Sequence, residues 1–268
     1  MTTNPVGGAP KPAPAAAAHA SAWAVAGVRD FDGTVGSIVP SVFSAYARVF
    51  HPAYRRTAAN GVEPVRWREV AEAHHRVMHP LAQWRQINPP LPGETTNLEK
   101  WGRDLGSIPG REGVWDDEPV LGAMPTSVAA RLAALLTRYT GTPDRCWLAV
   151  WEGYGDLAGT WTAAPRFEVP GRGLHLLTGP AAAAAFPLSD ERPPLTEPDR
   201  QLHPNLWWPS DHAWCVATDV DMMTTYVGGS AEAVAAVVAD AGLEAFPVNV
   251  DDAVTWDSDT VNRVRAGG

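Results

Sequence analysis

The feature that most constrains this chain is a change of pattern at Cys146. Beyond it, apolar residues gather into short runs bounded by Gly, Pro or Asp: Cys146 to Trp151, Arg166 to Val169, Leu174 to Leu177, Ala213 to Thr218 and Thr224 to Val227. Runs of this length, rich in Trp and Val, read as strands. One helix interrupts them, from about Ser230 to Ala241, with Val234, Val237, Val238 and Ala241 on a single face before the strand-like Leu243 to Val248. Helical spacing dominates upstream. The pattern predicts an α+β fold: helices in the N-terminal half, then a mainly antiparallel sheet with one further helix in the C-terminal half.

Three upstream helices are expected. Val42, Tyr46 and Val49 follow i, i+4, i+7, with Pro40 near the first turn and His51-Pro52 as a stop. From Trp67 onward, Val70, Ala73, His74, Val77 and Leu81 share a face, and Pro80 ends the segment near His79. Thr126 is a candidate N-cap for a helix carrying Leu132, Leu135, Leu136 and Tyr139, closed by Gly141 and Pro143. Between the last two, Pro89 to Pro125 shows no sustained period and reads as a long ordered loop or a chain of short turns, pinned by Trp101 and Trp115.

A chain of 268 residues is long enough to bury a substantial core without staples. Thr2 to about Ala20, however, is Pro, Ala and Gly with hardly a large apolar side chain, too little to offset the entropy of ordering. Residues 1–20 are therefore expected to form a disordered tail and 21–268 a single globular domain. The start of the chain has no basic stretch followed by an apolar run, and no later segment matches a bilayer span, which implies a cytoplasmic protein with no membrane partner.

A net charge of −9 argues against a nucleic-acid backbone as the main partner. Nearly all cations are arginine, Lys11 and Lys100 being the only lysines, the mark of a GC-rich coding sequence. Cys146 and Cys215 each sit inside an apolar run and read as buried thiols rather than a disulfide framework.

Few residues carry a recognisable chemistry. There is no G-x-x-x-x-G-K-[ST] loop and no G-x-S-x-G, and Gly153, Gly155 and Gly159 have turn spacing rather than dinucleotide-loop spacing. Glu72, His74, His75 and His79 divide between opposite helix faces, so neither they nor any other group predicts a metal or a cofactor. His51, His79 and His203 each precede a proline, which places them at element ends where an imidazole meets free carbonyls. Asp251, Asp252, Asp257 and Asp259 lack the glycine and distal glutamate of an EF-hand and read as a solvated acidic edge.

Aromatic density peaks at Trp207-Trp208-Pro209-Ser210-Asp211-His212-Ala213-Trp214. Two functional readings follow from it. In the preferred one, Trp207, Trp208 and Trp214 form the exposed anchors of a non-catalytic module that binds a protein or a small molecule. In the alternative, a hydrolase or transferase pocket holds His212 as general base with Asp211, Asp219 or Asp221.

Three passages are also familiar together: Val39-Pro40 through His51-Pro52, Thr142 to Trp147 through Gly153, and Asn205 to Pro209 through Tyr226-Val227-Gly228-Gly229. They resemble an uncharacterised family of actinobacterial proteins, over most of the chain beyond the tail. The resemblance implies a bacterial cytoplasmic setting and no activity, ligand or site residue.

Overall fold

Side chains alternate across a strand, so an apolar run with no polar alternation requires cover on both faces of its sheet. The computed structural model supplies that cover. It describes residues 8–59, 61–89, 113–189 and 200–263. The sheet has nine strands: β1 (Lys11–Pro12), β2 (Ala45–Phe50), β5 (Cys146–Trp151), β6 (Arg166–Val169), β7 (Arg172–Gly179), β8 (Leu206–Pro209), β9 (Trp214–Thr218), β10 (Thr224–Gly229) and β11 (Ala245–Val248). Their order is β1-β7-β5-β8-β9-β10-β2-β11, with β6 beside β1 on the same edge of β7, and every pairing is antiparallel. The α+β expectation holds.

On one face, Leu148, Trp207, Trp214, Val216 and Val227 pack with Leu132 and Leu136 of α4 (Thr126–Leu136), Trp161 of α5 (Gly159–Thr162), and Val234 and Val237 of α6 (Ala231–Ala239). On the other, Leu174, Leu176, Leu206, Trp208, Cys215 and Ala217 pack with Ala13, Ala17, Ala24, Val35, Ile38 and Val39 of the N-terminal arm, which includes α1 (Ala22–Gly27). The layers are thus helices, sheet and arm. A smaller core gathers Phe50, Val65, Trp67, Val70, Trp84, Ile87 and Trp115. It is built by the hairpin of β3 (Ala53–Arg56) and β4 (Val62–Val65) with α2 (Trp67–Ala73) and α3 (Trp84–Ile87).

Several expectations need correction. The tail reading fails from Lys11 on: Lys11 and Pro12 pair with Thr178 and Leu177, Ala13 N–H donates to Leu176 O, and Ala13 and Ala17 are buried. Small side chains here let the backbone lie close on the sheet, so burial comes from the surface beneath rather than from the arm's own bulk. Residues 1–7 lie outside the described residues, as does Trp101, whereas Trp115 is fully buried 5.3 Å from Trp84.

The helix expected over Val42, Tyr46 and Val49 is strand β2, inserted between β10 and β11. Ala47 and Val49 face one core and Tyr46 the other, while Val42 is exposed; two-sided burial overrode an accidental 3.6 period. The first half therefore contributes strands as well as helices. The helix from Trp67 stops at Ala73, well before Pro80, because His75 adopts φ 55° and Arg76 N–H turns back to Ala71 O. Thr126 is the first residue of α4 and not its cap, which is Pro125. Ser230 does cap α6, accepting from Ala233 N–H.

Candidate functional site

Trp207, Trp208 and Trp214 have no exposed surface. Trp207 and Trp214 meet edge to face at 5.1 Å on the helix side, and Trp208 lies on the arm side, 6.1 Å from Trp23. They are core, because the layer that covers each face of the sheet also covers them. An aromatic binding surface made of these three is ruled out.

The residues of the alternative pocket do not converge either. Asp211 and His212 form the β8–β9 turn, whereas Asp219 and Asp221 form the β9–β10 turn at the far end of β9. About 20 Å of extended chain separates them. The Asp211 carboxylate accepts from Thr140 Oγ1, Gly141 N–H and Ala213 N–H. Partial burial pulls its pKa up, but these hydrogen bonds outweigh burial and hold it below the usual carboxylate range. His212, at φ 57°, stacks flat on Trp23 with ring centroids 4.4 Å apart, and burial draws its pKa down against the opposing pull of Asp211. Both residues fasten the turn to its neighbours.

Other candidates are likewise absorbed by structure. His79 Nε2 meets Asp259 Oδ1 at 2.9 Å, and Asp259 also accepts from Asn262 and Gln83, so this carboxylate is buried rather than part of a solvated edge. His51 Nε2 lies 2.8 Å from Thr225 Oγ1, and His203 Nδ1 lies 3.0 Å from Gln201 O. Cys146 and Cys215 are free and buried; burial pushes Cys146 up to about 12 and Cys215 well above the ordinary thiol value. Among the described residues no helix is long and apolar enough to cross a membrane.

An open site exists elsewhere, at the end of the sheet where β5 and β9 finish and β7 and β8 begin. Pro170 and Gly171 form the two-residue turn between β6 and β7, with Gly171 at φ 75°, a geometry that needs glycine there. Arg172 follows directly. Its Nη2 reaches Asp219 Oδ1 at 3.1 Å and Asp221 Oδ2 at 3.0 Å, Nη1 donates to Gly171 O, and Cζ lies 5.4 Å from the centroid of the Phe31 ring. Asp219 is held in place because its Oδ1 also accepts from Asp221 N–H.

Between this ion pair and the arm lies a cavity of about 40 Å³, walled by Val28, Ile38, Val169, Leu174 and Leu206. Asn205 also lines it and is held in place: Oδ1 accepts from Trp151 N–H, and Nδ2 donates to Tyr154 OH and Thr218 O. Phe31 is 57 % exposed. Of these residues only Asp219 and Asp221 stand out from sequence alone. The available signals for the rest are Pro170-Gly171, which places Arg172 at a hairpin tip, and a lone aromatic in Asp30-Phe31-Asp32-Gly33.

Comparison with protein-family models, curated proteins and solved structures returns no match, so geometry alone supports a functional reading.

Proposed function

We propose that this protein is a non-catalytic binding module whose recognition site is the cleft between the N-terminal arm and the Arg172–Asp219 pair. One observation carries the reading: an apolar cavity ends in a part-buried ion pair and is bordered by a largely exposed phenylalanine. Apolar walls with a few convergent polar groups are the common make-up of small-ligand sites. A cavity of this size takes about three or four heavy atoms, a short side chain or fragment rather than a large cofactor. The imidazoles and thiols that a catalytic reading would use are engaged in packing and turns.

The test is methyl NMR with a library of small fragments, read at Val28, Ile38, Leu174 and Leu206, repeated on a Val169→Trp variant that enlarges a lining side chain to fill the cavity. Saturable shifts at these methyls, abolished in that variant, are expected. Absence of any such shift, or shifts that persist in the filled variant, would overturn the reading.

A further inference from the structure

Resting on the cleft as the binding site, we infer that its occupant is a small uncharged aliphatic molecule and that the cleft turns away ions of either sign. The walls supply the attraction: Val28, Ile38, Val169, Leu174 and Leu206 offer apolar surface and no side-chain hydrogen bond. Polar side chains line the cavity as well, but three of them are buried and bonded within the protein. Ser37 Oγ donates to Thr34 O, Thr218 Oγ1 lies 2.6 Å from Thr225 Oγ1, and the Asn205 amide is engaged at both its oxygen and its nitrogen. These groups hold the wall in place and leave recognition to its carbon atoms.

The charges at the end of the cavity cancel. Of the charged side chains only Arg172 and Asp219 line it, and they pair through Nη2 and Oδ1 at 3.1 Å. Asp221, the second partner of Arg172, lies outside the lining and is 55 % exposed. Spare hydrogen-bonding capacity is balanced in the same way. Arg172 Nε is a donor with neither partner nor solvent contact, and Asp219 Oδ2 meets no donor among the described residues. An ion entering this space gives up its hydration and meets two charges that already answer each other, so the wall does not repay the loss. An uncharged molecule gives up less water and keeps the whole apolar contact.

Isobutanol, isobutylamine and isobutyrate share one aliphatic body and carry a neutral, a positive and a negative head group at neutral pH. Each is titrated against the methyls of Val28, Ile38, Leu174 and Leu206. The alcohol is expected to bind about tenfold tighter than either ion. In Asp219→Asn the cancelling charge beside Arg172 is removed, and isobutyrate is expected to gain about fivefold while the alcohol is unchanged. The unliganded methyl spectrum verifies the fold of the variant, and if it misfolds the wild-type titrations decide alone. Either ion binding as tightly as the alcohol to the wild-type protein overturns the uncharged occupant while the cleft stands. A folded variant in which isobutyrate gains nothing overturns charge cancellation as the basis of the selectivity. If none of the three compounds moves the methyls, both the uncharged occupant and the cleft fall.

Discussion

The two ends of strand β9 carry the same kinds of residue and have opposite character. At its start, Asp211 is saturated by Thr140, Gly141 and Ala213, and His212 lies flat on Trp23 with Trp208 behind it. At its finish, Asp219 and Asp221 share one arginine, oxygens remain unbonded, and the aromatic ring, Phe31, is exposed beside a cavity. An aspartate next to an aromatic and a nitrogen base is therefore no guide to function until its valences are counted. Where every acceptor is used the group holds a turn, and where acceptors remain at a solvent-facing edge a ligand has something to meet.

Removing the aromatic at each end tests this division most severely. Trp208→Ala deletes a fully buried indole and is expected to cost about 3–5 kcal/mol in urea unfolding. Phe31→Ala at the open end is expected to stay within about 0.5 kcal/mol. A comparable loss at Phe31 would make that end a core in its own right and erase the contrast.

Behind the rim, the open end is anchored by a buried chain that runs from His51 Nε2 to Thr225 Oγ1 and on to Thr218 Oγ1. Burial draws the His51 pKa down to about 4 against the opposing hydrogen bond with Val120 O, with a smaller downward push from Arg48. The unfolded chain takes up this proton near pH 6.5 and the folded protein only near pH 4. The contribution is thus complete above pH 6.5 and is lost as pH falls through that window, by about 3 kcal/mol in total. Urea midpoints between pH 7 and pH 4 should decline accordingly, and His51→Gln should flatten the decline. An unchanged slope in the variant would assign the acid sensitivity to other groups and leave the anchor without support.

Much of the sheet is legible in the sequence, and the reason is local. Cys146 to Trp151 and Arg166 to Val169 match their strands end to end because punctuating residues flank strand-length apolar runs. β2 is illegible because Ala45 to Phe50 contains helix-forming Ala and Arg, and only its neighbours β10 and β11 make it a strand. The arm is illegible for a related reason: Ala13 and Ala17 bury themselves against Leu174 and Leu176, which are distant in sequence. The tryptophans misled in the opposite direction. A dense aromatic segment reads equally as core or as surface, and covering layers from both halves of the chain decide the matter. Asp219 and Asp221 were visible as candidates, but their partner Arg172 arrives from another hairpin, so the pair of turns that makes the cleft is a tertiary fact.

The smallest expected effect separates the two aspartate turns themselves. Asp211→Ala strips Thr140, Gly141 and Ala213 of their shared acceptor and is expected to cost about 1–2 kcal/mol, the range of a lost helix cap. Asp221→Ala removes one half-exposed ion pair while Asp219 still holds Arg172, and is expected to change stability by less than about 0.5 kcal/mol. The acid limb should differ as well. Because the folded pKa of Asp211 lies below its ordinary value, its contribution is present above the unfolded value and lost as pH falls through the folded one. Unfolding of both variants at pH 7 and at pH 3 decides the point. If Asp221→Ala proves the costlier of the two, the exposed turn is the structural one, and the assignment of closed and open ends must be reversed.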